Sequence, residues 1–257
     1  MELKVFRASV ADERREWQTL WDGLSPDRRD VYFSPRYLHA LEVDGKGEAC
    51  CAAASSQGRL WLYPFLRLPI SLPMRPGQKP GRPRFDLQTP YGYGGPMVNE
   101  AGEDAAFLAE TAAAWSAWCA DSGIVGELVS FHPLLENHRW AHPLVKVELN
   151  RQTIPIMLDK YPSMVWDNSY FRRHRQMVRK AEREGCTFER MATNGQMVWF
   201  AAMYSDTQDR LQAGEATRFG QSYFDRLASE LGDRGWLGVV RRAGEILAAV
   251  FVIEGST

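Results

Sequence analysis

The chain of 257 residues lacks any long apolar run. Its longest, ILAAVFVI at 246–253, covers eight residues, far below the roughly 20 that cross a bilayer, so it reads as a buried strand. The first residues, MELKVFRASVADERREW, carry charge throughout and have no apolar core of the kind a signal peptide needs. Cysteine is scarce. Cys50, Cys51, Cys119 and Cys186 have no metal-ligand spacing, and neighbours such as Cys50 and Cys51 rarely bridge to each other, which points to a reduced, cytoplasmic setting. An excess of one charge is also missing: 31 Lys and Arg against 32 Asp and Glu leave a formal charge of -1. Nothing pulls the whole molecule toward nucleic acid, no DNA partner is expected, and any phosphate recognition must come from a local patch.

Other absences concern chemistry. His39, His132, His138, His142 and His174 form no HxH or HExxH pair, and no cysteine stands within ligand spacing of them, so no metal site is expected. GxSxG, a Walker loop and a GxGxxG between strand and helix are missing as well, which argues against the usual hydrolase and nucleotide-binding sites.

What is present is the composition of an ordinary globular protein, 45% hydrophobic and 25% charged, long enough for one large domain or two small ones. ADERREWQTLWDGL spaces Trp17, Leu20, Trp21 and Leu24 as an amphipathic helix does, ending at Ser25-Pro26. FSPRYLHALEV predicts a second helix entered through Ser34 and Pro35, so two helices are expected before the first sheet. EACCAAASS and RLWLYPFLRLPI flank QG as a hairpin, with Pro64 arguing for an edge or bulged strand. LPMRPGQKPGRPRF reads as a mobile surface loop or a lid. EDAAFLAETAAAWSAWCADSG predicts a helix stopped at Gly123, IVGELVSFHPLL a strand running into a loop, and LVKVELNRQTIPIML further strand, with a domain junction near residue 150.

The second half is expected to begin with a strand, followed by one helix over SMVWDNSYFRRHRQMVRKAEREG that stops at Gly185. CTFERM reads as a strand, MVWFAAMYSDTQDRLQ and SYFDRLASELGDRG as helices, and WLGVVRRAGEILAAVFVI as a hairpin turning at AGE. The final strand has no helix after it, so it is expected either to end the fold at a natural edge or to belong to a sheet whose partner elements lie beyond this chain.

Two segments carry candidate chemistry. In FRRHRQMVRKAER, Arg172, Arg175, Arg179 and Arg183 fall at steps of three, four and four, while Phe171, His174, Val178 and Ala181 form a second stripe expected to pack. A row of guanidinium forks suits phosphates, and it is also what a solvated helix face looks like; His174 on the apolar stripe reads as a packed histidine. In TPYGYGGP, at 89–96, Gly92, Gly94 and Gly95 allow close backbone approach, while Tyr91 and Tyr93 offer flat faces with hydroxyl tips. The glycines open no helix, so a dinucleotide loop is excluded; a wall for a sugar or peptide substrate and a packed aromatic turn both remain.

Taken in order, FSPRYLHAL, LYPFLRLPI, TPYGYGGP, SFHPLLENH, RQMVRKAEREG and YSDTQDRLQAGEATRFGQSYFDRL resemble the FemAB-like branch of the GNAT acetyltransferase superfamily, which includes the peptidoglycan bridge-forming aminoacyltransferases. The resemblance implies an α/β (α+β) fold with two tandem acetyltransferase-like domains of mixed sheets, at 1–150 and 151–257, the second incomplete at its C-terminal end. It implies an acceptor groove between them and amide formation on an amine of a cell-wall precursor or surface-polysaccharide sugar. Acyl-CoA or aminoacyl-tRNA would be the donor substrate, tRNA then being a partner, with no bound cofactor.

Residue by residue, Arg175, Arg179 and Lys180, with Arg172 beside them, match the family's basic acceptor-binding helix. Tyr91, Tyr93, Gly94, Gly95 and Pro96 match the groove loop, and Tyr204, Thr207 and Arg210 match a Y-x-x-T-x-x-R pattern. Glu100, after the Gly-Pro, stands near where peptidoglycan members carry an acid, so Glu100 and Tyr204 are the candidate proton-transfer residues. The acyl-CoA signature Q/R-x-x-G-x-G/A is missing, and relatives continue past a strand like LAAVFVI; both leave open a non-catalytic glycan-precursor or nucleotide-sugar binding module.

Overall fold

The computed structural model describes residues 2–71, 81–158 and 161–255, a mixed α/β protein with two sheets. The first sheet contains β1 (Glu2–Arg7), β2 (Glu48–Ser56), β3 (Arg59–Pro69), β4 (Phe85–Gln88), β5 (Met97–Val98) and β6 (Ile124–Leu128). Its order is β1-β2-β3-β4-β6, with β5 also paired to β3. Only β4 and β6 run parallel, because the helix α3 (Ala105–Ser122) carries the chain between them.

The β2–β3 hairpin turns on Gln57 and Gly58 with φ of 50° and 78°, the two positive values that match the twist of paired strands. Both faces of β3 are buried. Leu60, Leu62 and Leu66 join a core with Trp17 and Trp21 of α1 (Ala11–Asp22) and Leu38 and Leu41 of α2 (Pro35–Val43). On the other face Trp61, Tyr63 and Phe65 pack with Phe107 and Trp115 of α3. Ser34 caps α2 by accepting the Tyr37 amide at 3.2 Å, and Pro35 fills its first turn.

The second sheet is an antiparallel trio, β7 (Thr187–Ala192), β8 (Gly235–Arg242) and β9 (Glu245–Ile253), with β8 central. Helices α4 (Pro162–Ser169) and α5 (Arg172–Arg183) precede it, and α6 (Met197–Arg210) and α7 (Gln221–Leu231) lie between β7 and β8. Phe200, Phe224, Leu227, Leu237 and Val239 belong to the same apolar core as Phe6, Leu38 and Leu62. The two sheets therefore share one interior, joined where α2 packs on α7.

Several expectations are corrected. The first sheet begins before the two helices, with β1 paired antiparallel to β2. The strand holding Pro64 is interior: β5 pairs with β3 at Trp61–Leu62 and β4 at Leu66–Pro69, so Pro64 falls in the interval between them, where its missing N–H costs no ladder bond. Residues 143–158 form no strand, and the second half opens on α4. The expected helix at 163–185 is two, because Tyr170 and Phe171 take extended backbone. The apolar stripe of α5 does not pack: Phe171, His174 and Val178 are exposed. Among the described residues strand β9 pairs with β8 alone and exposes Leu247 and Val250, so it is not a buried strand. The loop expected as a lid lies, over 72–80, outside the described residues.

Leu227, 1% exposed in the shared core, tests that packing. Leu227→Ala should lower the stability of the whole chain by about 2–5 kcal/mol in urea unfolding, and a change below about 0.5 kcal/mol would contradict a core common to both sheets.

Candidate functional site

The TPYGYGGP loop joins β4 to β5 and is held from three sides. Gly92 has φ of 105°, and a Cβ there would collide with the Tyr32 ring. Gly94 donates its amide to the Ser130 carbonyl at 2.9 Å. Gly95, at φ of 96°, leaves room for Asn137 and Phe131 that a Cβ would fill. Asn137 is fully buried: its amide nitrogen donates to the carbonyls of Gly94 (2.8 Å) and Pro96 (3.1 Å), and its oxygen accepts from the His132 amide (2.9 Å). His132 Nδ1 accepts from the amides of Leu134 and Leu135, which leaves the ring proton on Nε2, facing Asp30 at 3.5 Å. With its lone pair used by the backbone, His132 fixes the turn and is no base.

Gly94 and Gly95 are thus buried supports, whereas Tyr91 is exposed and Tyr93 is half-buried. Tyr93 lies edge-on between Tyr32 (5.6 Å) and His132 (5.0 Å). Tyr91, half exposed, meets Phe219 of the second half edge-to-face at 4.8 Å, and its carbonyl accepts from the Tyr37 hydroxyl at 2.6 Å. Phe219 stacks on Tyr223 at 4.4 Å and touches Tyr204 at 6.3 Å. The ammonium of Lys46 sits 5.0 Å over the Phe219 ring and donates to the carbonyls of Glu215 and Arg218. Asp44 accepts from the Gly220 amide at 3.1 Å, and His39 pairs with Glu230 at 3.1 Å. An aromatic wall therefore runs Tyr93–Tyr32–Tyr37 in the first half and Tyr91–Phe219–Tyr204 across to the second, linked where Tyr37 donates to the Tyr91 carbonyl; Tyr37 and Phe219 are buried within it, and Tyr91 is half exposed.

Tyr204, on α6, donates its hydroxyl to the Thr217 carbonyl and packs on Phe224, and burial pushes its phenol up to about 12. Thr207 spends its hydroxyl on the Met203 carbonyl of its own helix, and Arg210 is exposed at the end of α6. Glu100 lies elsewhere, exposed in the 3-10 turn Glu100–Glu103, where its carboxylate accepts from Ser25 at 2.8 Å and faces Arg28 at 3.6 Å. Hydrogen bonds from its own backbone amide and from Ser25 hold it below the ordinary carboxylate range.

On α5, Arg172 and Arg179 are exposed and Lys180 faces Glu184 at 3.7 Å. Arg175 is occupied: its guanidinium donates to the carbonyls of Trp166, Asp167 and Tyr170, closing the end of α4. The structure thus brings Tyr91 and Tyr204 to one neighbour, Phe219, and places Glu100 and the basic helix on other partners. Burial pushes the Cys50 and Cys119 thiols up to about 12 and Cys51 well above its ordinary value, so these three are not nucleophiles. Sequence reasoning passed over Phe219, Lys46 and Asn137; Asn137 stood inside the SFHPLLENH segment already singled out.

Mixed α/β architecture with two sheets is consistent with a GNAT-like fold. Residues 168–257, from the end of α4 through β9, match the family described as acetyltransferase (GNAT) domain, which supports a transferase of general N-acyltransferase function. Enzymes of this kind use an acyl-CoA donor and an acceptor. No curated protein matches the chain. Among the described residues, no helix is long and apolar enough to cross a membrane.

Two measurements check the site's construction. Asn137→Ala, which leaves two buried carbonyls and one amide without a partner, should cost about 2–4 kcal/mol; a loss within about 0.5 kcal/mol would show that Asn137 does not clamp the loop. Burial also raises the phenols of Tyr37 and Tyr223, the first well above its ordinary 10.0. Groups that keep their protons longer when folded contribute stability in full below the unfolded value of 10.0, and lose it as pH rises through about 12 for Tyr204. Phenolate absorbance should therefore lag for these tyrosines until the chain unfolds in alkali; their ionisation near pH 10 with circular dichroism unchanged would refute the burial.

Proposed function

We propose that the protein is a FemAB-like N-acyltransferase or aminoacyltransferase that forms an amide on an amine of a cell-wall precursor or surface-polysaccharide sugar. The reading rests above all on one observation: Tyr91, from the first half, and Tyr204, from the GNAT-matched segment, share Phe219 as a neighbour. Its acceptor groove runs along that seam, with the division into domains at 1–150 and 151–257 part of the same proposal. Tyr91 and Tyr93 supply flat faces for a sugar ring or peptide, and Gly94 and Gly95 set the backbone under them. Arg172, Arg179, Lys180 and Arg210 meet the acceptor's phosphates or carboxylates, and Arg175 holds the basic helix against α4.

Amide formation needs an uncharged amine, stabilisation of the oxyanion as the tetrahedral centre forms, and a proton for the departing group. A phenol raised to about 12 stays protonated at neutral pH, so Tyr204 is suited to donating a proton to the leaving group and not to taking one from the amine. Glu100, a carboxylate held low on Ser25 and Arg28 away from this seam, is a weak base, so in this reading the amine's proton passes to solvent water. The donor, acyl-CoA or aminoacyl-tRNA, is a substrate of this reaction, and the missing Q/R-x-x-G-x-G/A signature leaves the choice between them open.

Incubation of the chain with labelled acyl-CoA or aminoacyl-tRNA and amine-bearing precursors should give an amide product. Tyr204→Phe should lower kcat by roughly tenfold to a thousandfold with KM little changed, while Tyr91→Ala should raise KM for the acceptor. Tight binding of precursor with no turnover on either donor would replace this reading by the binding module.

A further inference from the structure

The basic helix α5 has a second face that acceptor binding does not use. At about 100° per residue, Phe171, His174, Met177, Val178 and Ala181 fall within an arc of roughly 120°, and Arg172, Arg173, Arg175, Arg179, Lys180 and Arg183 within an adjoining arc of roughly 160°. The apolar arc is in water: Phe171 and Met177 are each 68% exposed and Val178 41%. In the preceding segment, α4 and the chain before it expose Leu158, Tyr161 and Met164, with an apolar hollow of about 210 Å3 lined by Leu158, Pro162, Val165, Trp166 and Tyr170. Arg175, from the basic arc, ties the two helices together through the carbonyls of Trp166 and Asp167 in α4 and of Tyr170 just after it.

From this arrangement we infer that α4 and α5 seat the protein on an anionic lipid surface, lying in the plane of the headgroups without crossing the bilayer. The helix has the two properties such binding requires, cations on one arc and aromatic and thioether side chains on the other. Arginine and lysine stems extend past the apolar arc and keep their charges among lipid phosphates while Phe171 and Met177 enter the acyl boundary. An RNA strand would satisfy the cations and leave the apolar arc in water, which favours the bilayer over tRNA as the occupant. The inference needs neither donor nor acceptor, and its test uses Phe171, Met177, Arg173 and Arg183, whereas Arg172, Arg179 and Lys180 are shared with the proposed acceptor site.

Co-sedimentation of the full chain with phosphatidylcholine vesicles, with and without phosphatidylglycerol, tests it without turnover. The protein should pellet with the anionic vesicles only, and less so as salt rises. Phe171→Asp with Met177→Asp should weaken that binding by roughly tenfold or more with circular dichroism unchanged, and Arg173→Glu with Arg183→Glu should do the same through charge. No pelleting with anionic vesicles, equal pelleting with neutral ones, or wild-type pelleting of the Phe171/Met177 variant would each overturn the inference. Binding of tRNA that survives the Phe171/Met177 change, with no vesicle binding, would make RNA the occupant and overturn it too.

Discussion

The nine-residue helix α2 is packed on two sides at once, and the arrangement of both halves follows from that. Pro35, Tyr37, Leu38, Ala40 and Leu41 are buried, because the helix lies on β2 and β3 of the first sheet and against α7 of the second half. Polar contacts frame the apolar ones: Arg36 donates to the Glu230 carbonyl, His39 meets the Glu230 carboxylate, and Asp44 and Lys46 hold the chain entering α7. Apolar burial supplies most of the driving force, since area removed from water is worth about 25 cal/mol per Å2, and the hydrogen bonds fix the angle at which the helices meet.

That contact places Phe219 beside Tyr91, and so builds the aromatic wall from residues far apart in sequence. The loop at 89–96 is held in place beneath it: Tyr91 is exposed, but the Gly94 and Pro96 carbonyls are bound by the buried Asn137 and the Tyr91 carbonyl by Tyr37. Tyr204 joins the wall from the segment that matches the acetyltransferase family.

Local rules made much of the fold legible. Ser34-Pro35 marked the entry to α2, Gly123 the end of α3, and Gln57-Gly58 the hairpin, each because one residue type satisfies one backbone requirement. Where the sequence misled, a long-range partner decided the outcome. Pro64 read as an edge signal because a proline cannot say that two short strands will pair on either side of it. Leu-Val-Lys-Val at 144–147 alternates as a strand does, but no neighbouring strand pairs with it. Of the site, the tyrosines and the arginine stripe were visible from composition and spacing. Phe219 was not, since a lone aromatic before a helix has no local signature, and Asn137 gave none either because its burial depends on a loop some 40 residues away in sequence, as the Gly94 and Pro96 bonds show.

Denaturant-dependent hydrogen exchange tests the central claim, that one core spans both sheets through α2 and α7, most directly. Amides of β2, β3 and β8 should open in a single global event, with the same free energy and the same dependence on denaturant. Opening of β8 and α7 at lower denaturant, with β2 and β3 still protected, would show two independent bodies and remove the seam on which the proposed site is built.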